Sequence, residues 1–375
     1  MRRHVLASLS LTLLACSGNA APPPQQAASG GKPFTETVLA DFESPWAMTF
    51  LPDGRMLVTE KTGAMLLLSA DGKQKQTVAT ITVDSAGQGG LMDVVLAPDF
   101  ATSKQVYFSY SAAEGGVKGV ILARGMLSGA PGAEQLTGIQ ELFRARPFVE
   151  GNGHYSGRIA FSPDRKYLFF TNGERQKFTP AQDKSMTLGK VLRLTLDGKP
   201  AAGNPLAAQG FQPEVWSYGH RNLLGIAFDA AGNLWEQEMG PMGGDEVNLV
   251  QPGRNYGYPN ASNGSHYDGR DIPDHKAGDG YEAPKAWWNP SISPGGLMIY
   301  SGSMFPQWKG DAFIGGLSAK ALLRIDLDGT NAKKGDQWDM AERIREAEQA
   351  PDGAIMVLED GQRGGQGRLI RLAAR

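Results

Sequence analysis

"FSPDRKYLFFTNG", residues 161–173, decides the fold. An apolar residue enters a Pro-Asp turn, a charged residue follows, and a β-forming run continues from it. Proline fixes φ at the second position of a turn, and aspartate and glycine favour the positions after it. The plan recurs in "FLPDGRMLVTE" (50–60), "LAPDFATSKQVYFSY" (96–110) and "QAPDGAIMVLED" (349–360). "FDAAGNLWEQE" (228–238) keeps it without the proline, and "SGSMFPQWKGDAFIGGL" (301–317) is a looser copy. A second strand pattern follows each copy: "GAMLLLSADG" (63–72), "GVILARGMLSG" (119–129), "GKVLRLTLDG" (189–198), "DEVNLVQPG" (245–253), "KALLRIDLDG" (320–329) and "GRLIRLAA" (367–374). Six such hairpins, with almost no helical periodicity, predict an all-β chain arranged radially. A six-bladed β-propeller accounts for the recurrence, which a pair of packed sheets does not.

The ends of the chain are of another kind. Residues 1–16, "MRRHVLASLSLTLLAC", combine a basic start with an apolar run from Val5 to Ala15 and read as a secretory signal. Its end, Leu13-Leu14-Ala15-Cys16, resembles a bacterial lipobox, which makes Cys16 the expected lipidation site. Cys16 is the chain's single cysteine, so a disulfide framework and a cysteine-ligated metal are excluded. Residues 17–32 are rich in Pro, Gly, Ala and Gln and read as a tether, leaving 33–375 for the propeller. The expected location is the periplasm, with a lipid anchor in the outer membrane as the only membrane attachment. The formal charge of −2 becomes −4 without Arg2 and Arg3, so there is no basic surplus for nucleic acid. The polar stretch 257–286 interrupts the repeats and is expected to lie over one face of the propeller.

Seven ordered motifs carry a resemblance: "SPWAMTFLPDGRMLVTEKTG" (44–63), "GQGGLMDVVLAPDF" (87–100), "GHYSGRIAFSPD" (153–164), "YGHRNLLGIAFD" (218–229), "MGPMGGDEVNLV" (239–250), "NYGYP" (255–259) and "RIREAEQAPDG" (343–353). Over residues 40–375 the chain resembles the soluble quinoprotein glucose/sorbosone dehydrogenases, propellers that oxidise aldose sugars with pyrroloquinoline quinone (PQQ) and calcium. The resemblance implies oxidation at C1 to a lactone, with His154 as general base. A base tuned near neutrality is what that proton transfer requires. Glu174 falls where the family has an aspartate that orients the histidine. Arg343 and Arg345 match the clamp on the cofactor's carboxylates, and on a strand their spacing puts both on one face. Arg221 and Asn222 match the pair that contacts the quinone oxygens. The backbone carbonyls of Gly240 and Pro241 match the calcium turn; the nearby acids Asp245 and Glu246 either support it or are solvated loop carboxylates. Gln88 matches a residue that touches the sugar, and Trp287 or Trp288 could offer an apolar face to a ring.

Three departures accompany the match. Ser318 stands where some members have a lysine, and Lys320, on the same face of an assumed strand, is the substitute cofactor contact. Met239 replaces a polar residue, and Gly153 lacks the carboxylate of strongly glucose-active members. Fewer sugar-gripping groups imply a general aldose dehydrogenase. The acids of 257–286 (Asp268, Asp271, Asp274 and Asp279) are either solvated or hold a further calcium. Single strand arginines such as Arg158 and Arg324 read as solvated or paired with surface acids. The other functions open to this chain are a calcium-dependent propeller hydrolase, lactonase-like, and a non-catalytic carbohydrate-binding propeller. The expected partners are the sugar and an electron acceptor (a quinone or a cytochrome), in a monomer or homodimer.

Overall fold

Each turn of the repeated type joins the innermost strand of a blade to the next strand outward. At 51–55 the Gly54 N–H donates to the Leu51 carbonyl at 2.9 Å, and Asp53 accepts from the Arg55 N–H at 3.1 Å. Gly54 takes the left-handed φ of 86° that the turn requires, and Gly353 does the same at 86°. The structure, a computed structural model, describes residues 31–361 and 365–375. Cys16, the signal and the tether up to residue 30 lie outside the described residues.

Six four-stranded antiparallel sheets follow one another. The first blade comprises Pro45–Phe50, Met56–Glu60, Ala64–Leu68 and Lys75–Thr80. The second comprises Leu91–Leu96, Gln105–Glu114, Val117–Ser128 and Gln135–Arg144. The third comprises Ser156–Phe161, Tyr167–Asn172, Lys190–Thr195 and Val215–Tyr218. The fourth comprises Leu223–Phe228, Leu234–Glu238, Asp245–Leu249 and Ala286–Trp288. The fifth comprises Pro294–Ile299, Ala312–Gly316, Ala321–Asp328 and Asn331–Asp339. The sixth takes Ile344–Gln349, Ile355–Glu359 and Gln366–Ala374, and its outermost strand is Phe34–Glu43 from the other end of the chain. That strand runs antiparallel to the last one from Phe34↔Ala374 to Glu43↔Gln366, which closes the ring. The six innermost strands touch one another in a closed circle, as a propeller requires. The repeat copies correspond to the first turn and second strand of each blade, and the patterns after them to the third. Among the described residues no helix is long and apolar enough to cross a membrane.

Apolar side chains fill the wedges between blades, as in the packing of Trp308, Phe313 and Trp338 against Phe34. On the axis the filling is ionic. Arg158 of the third blade is buried; its Nε donates to the Leu224 carbonyl at 2.7 Å and its Nη1 to Asp93 at 3.1 Å and to Glu346. Its guanidinium lies 4.2 Å from the centre of the Trp46 ring. One side chain thus ties the third blade to the first, second, fourth and sixth. This corrects the reading of Arg158 as a solvated arginine; Arg324 does pair with acids, Asp311 and Asp336. Burial lifts the Glu346 carboxyl to about 7 even beside this cation. Removing Arg158 would leave two buried acids uncompensated. Arg158→Met is expected to cost about 3–5 kcal/mol in chemical denaturation, whereas a loss under about 1 kcal/mol would contradict the tie.

Candidate active site

The innermost strand of every blade is bulged just after it begins, at Pro45/Ala47, Leu91/Val94, Ser156/Ile159, Leu223/Gly225, Pro294/Leu297 and Ile344/Glu346. A bulge re-aims side chains. Here Trp46, Met92, Ser156, Leu224 and Arg345, all at or within these bulges, line an axial cavity of about 360 Å³. Lys61, Met239, Leu317 and Asp360, each the residue after a blade's second strand, line it as well.

The cavity's charge is predominantly positive. Arg343 Nε donates to Asp360 Oδ2 at 2.9 Å, while Arg345 Nε and Nη2 donate to Oδ1 at 3.1 and 2.9 Å. The two guanidinium groups therefore meet on Asp360; Arg343 precedes the strand and Arg345 sits at its bulge, so it is the shared carboxylate rather than strand alternation that aligns them. Lys61 adds a third cation; burial and the Arg345 charge hold its ammonium below the usual lysine range. Three cations against the single carboxylate of Asp360 suit a ligand with several negative charges. Asn222 and Gln88 line the same cavity.

Lys320 does not join them. Residues 317–320 form a turn rather than a strand, and Lys320 is half-exposed, donating to the Ala341 carbonyl at 3.1 Å. The adjacent Ser318 is held by the Ser291 carbonyl, and the fifth blade sends Leu317 inward instead. Trp288 is also absent from the site. It lies on the outermost strand of the fourth blade, buried in the core there with Lys334 over its ring. Trp287, its neighbour on that outer strand, is likewise under Lys334.

His154 stands two residues before the third blade's first strand, with a left-handed φ of 51°. Its Nδ1 is hydrogen-bonded to Glu174 Oε1, and its backbone N–H donates to Gln88 Oε1 at 2.7 Å. Gln88 thus acts first on the backbone of the histidine. The longer glutamate arm reaches because the chain wraps its carboxylate: the N–H groups of Gln176, Lys177 and Phe178 donate to it at 2.9, 2.6 and 2.5 Å. Arg175, Gln176 and Phe178 all take positive φ to make this nest. Burial opposes the charge on Glu174, but the bonds from His154 and these N–H groups hold its carboxyl below the usual range. An ionised Glu174 keeps the proton on Nδ1 and leaves the Nε2 lone pair to accept a proton. Burial, then the Arg221 charge, lowers the His154 pKa, with Glu174 pulling the other way. Arg175 is a positioning residue that the sequence reading missed. It stacks on Tyr155 and donates to the Gly151 and Gly153 carbonyls, pinning the approach to His154.

Arg221 lies between this pair and the Gly240–Pro241 turn. Its Nη1 donates to the carbonyls of Met239 at 2.9 Å and Gly240 at 2.6 Å. The Gly240 N–H donates to buried Asp245, which supports the turn as its place in the sequence suggests. A Cβ on Gly240 would meet the Gly243 and Gly244 carbonyls at 2.3 and 2.2 Å, so only glycine permits this crowding of carbonyl oxygens. Carbonyl oxygens gathered in this way suit a hard cation such as calcium, which would have to share or displace the Arg221 guanidinium now on the Gly240 oxygen. Beneath the turn, Glu236 and Glu238 outweigh the burial of His220 and raise its pKa to about 9. Glu238 in turn accepts from the Arg221 and Asn222 N–H groups. Among the described residues, His220, Glu236 and Glu238 are the one acid and histidine group gathered closely enough to hold a metal. The acids of 257–286 do not gather: Asp268 pairs with Arg270, and Asp279 caps the Lys276 and Tyr281 N–H groups.

The stretch 257–286 does lie over this face. Tyr258, His266, Tyr267, Asp268 and Arg270 enclose a second cavity of about 230 Å³ with His154, Arg221 and Pro241. The arrangement is a base held by a carboxylate, set between a cationic cavity and a carbonyl turn. The family model for glucose/sorbosone dehydrogenase matches residues 42–371. The chain belongs to that family.

Within the glucose/sorbosone dehydrogenases, the chain is 37% identical over 348 residues to aldose sugar dehydrogenase YliI of Escherichia coli strain K12, covering 90% of this chain and 92% of that one. The crystal structure of the soluble aldose sugar dehydrogenase of Escherichia coli, in its apo-form, superposes with a TM-score of 0.85 at 36% identity, over 91% of this chain and all of that one. The PQQ-bound aldose sugar dehydrogenase of Streptomyces coelicolor gives 0.74 at 31% identity, over 91% and 98%. Lys61, a cavity-lining residue not singled out in the sequence, is legible in principle. It holds the same place after a second strand as Asp360 and Met239.

Proposed function

We propose that the protein is a PQQ- and calcium-dependent aldose sugar dehydrogenase that oxidises its substrate at C1 to a lactone. The observation that carries this reading is the His154–Glu174 pair, with Tyr155 and Ser156, the residues after His154, in the wall of the cavity that has three cations. The PQQ-bound relative at 31% identity supports the cofactor. Arg343 and Arg345 would hold its carboxylates, and Arg221 and Asn222 its quinone oxygens. Bound PQQ supplies the two-electron acceptor for the hydride that leaves C1. The Gly240 and Pro241 carbonyls would hold calcium, which would supply Lewis-acid polarisation of the quinone.

His154 Nε2 takes the C1 hydroxyl proton as the hydride departs, and Glu174 stabilises the imidazolium that results. Arg221 keeps a fixed positive charge in the second cavity beside His154, while its neighbour Asn222 lines the axial one. A propeller hydrolase acting on a neutral lactone would have no use for Lys61, Arg343 and Arg345 together. The sequence from Leu13 to Cys16 supports a lipid-anchored, periplasmic enzyme that passes electrons to a quinone or cytochrome.

The test is dye reduction by the purified protein with PQQ, calcium and a panel of aldoses. Cofactor-dependent turnover is expected for several sugars at comparable kcat/KM, because the space of the absent Gly153 side chain is filled by Gln176, a neutral group. Sharp selectivity for glucose would contradict the breadth, and no turnover the function. The pH profile carries a second expectation. His154 titrates below its ordinary value of about 6.5, so the acid limb of kcat/KM lies below that pH. Glu174→Gln removes the charge that raises this pKa. Its limb therefore moves to still lower pH, while kcat falls by more than about tenfold. A limb that stays put would mean that Glu174 does not act on the base.

A further inference from the structure

The cavity beside His154 has a wall that the oxidation at C1 does not require. Residues 266–270 form a tight turn, with the His266 N–H donating to the Arg270 carbonyl and the Gly269 N–H to the His266 carbonyl, both at 2.9 Å. Tyr267 sits at its tip and is 71% exposed. The turn is fixed from below by a short ribbon that pairs Met242–Gly243 with Gly264–Ser265. A Cβ on Gly264 would meet the Gly243 carbonyl at 2.4 Å, so the two chains approach as closely as glycine allows. Phe178, from the nest around Glu174, faces the turn and meets the His266 ring edge-on at 5.3 Å. Tyr267 and Phe178 are two of the six large apolar side chains exposed among the described residues, and both line this cavity.

The gathering is concave and carries a polar pair. Arg270 Nε and Asp268 Oδ2 are 2.8 Å apart, and both side chains remain more than half exposed. A pyranose ring has an apolar C–H face and a rim of hydroxyls. An aromatic surface with an adjacent planar donor and a carboxylate acceptor matches both features. The axial cavity accounts for the cofactor and His154 for the ring that reacts, and the second cavity leads outward from His154 to Tyr267.

We infer that Tyr267, Phe178 and Arg270 form a subsite for the second pyranose of a disaccharide aldose, whose reducing ring presents its C1 hydroxyl to His154. The inference rests on the aldose reading above and names which part of the chain sets substrate length. Tyr267 also accepts a hydrogen bond from Arg221 Nη2 at 3.3 Å, so its ring and its hydroxyl must be tested apart.

The experiment compares kcat/KM for glucose with that for maltose or cellobiose, whichever is oxidised faster, in the holoenzyme. Tyr267→Ala is expected to lower the disaccharide-to-glucose ratio about tenfold, equivalent to about 1.4 kcal/mol. Tyr267→Phe, which keeps the ring and loses the bond to Arg221, is expected to hold the ratio. Calorimetry with methyl maltoside, which has no free C1 hydroxyl to oxidise, should show the same order of affinities. The inference is overturned if the ratio is unchanged in Tyr267→Ala, if Tyr267→Phe lowers it equally, or if the unsubstituted enzyme oxidises glucose but neither disaccharide. Failure to oxidise either kind of sugar would overturn the aldose reading itself, and the subsite with it.

Discussion

His154→Ala lowers kcat for aldose oxidation roughly 10²- to 10⁴-fold, the span expected when a positioned general base is lost, while PQQ binding changes little. The basis is the division of labour around the ring. Nδ1 is committed to Glu174, the backbone N–H to Gln88, and only Nε2 is left for the substrate. The cations that fit the cofactor's carboxylates lie elsewhere, Lys61 in the first blade and Arg343 and Arg345 in the sixth. Chemistry and cofactor affinity should therefore separate in this variant. Steady-state rates with saturating PQQ, set beside a binding titration, check the separation. A variant that loses both equally would mean that His154 holds the cavity together rather than acting on the sugar.

Arg345→Ala has the opposite signature. It weakens PQQ binding roughly 10- to 150-fold, the equivalent of about 1.5–3 kcal/mol for charge-assisted hydrogen bonds. Arg345 does two things at once: it offers a planar donor to the cavity, and its Nε and Nη2 neutralise Asp360 Oδ1. Truncation removes the donor and leaves Asp360 with Arg343 alone, turning part of the wall against an anion. Arg345→Lys keeps the charge without the fork and should fall between the two. Once PQQ is saturating, kcat should recover to within a few-fold. Binding undiminished in Arg345→Ala would remove the sixth blade from the cofactor site.

The parts of the fold that could be read from sequence are those with local causes. Pro-Asp-Gly turns and alternating strands are written in five to ten consecutive residues, so the second and third strands of each blade were legible. The strand Phe34–Glu43 was not, because its partner lies at the other end of the chain and a pairing across that distance leaves no local mark. The same distinction runs through the site. His154, Arg343 and Arg345 sit in motifs; His154 pairs with Glu174, and the two arginines meet on Asp360. Lys320 was misplaced because strand periodicity was extended through what is a turn at 317–320. Trp288 was misplaced because an outermost strand carries its tryptophan into the core of the blade edge. Arg158 was invisible as an axial tie, since its partners come from four other blades.

The most direct test of the central claim is a titration of the purified protein with PQQ in the presence of calcium, followed by the fluorescence of Trp46 in the cavity wall. Saturable one-to-one binding, weakened in Arg345→Ala and retained in His154→Ala, is the predicted result. Absence of saturable binding with calcium present would contradict the quinoprotein reading.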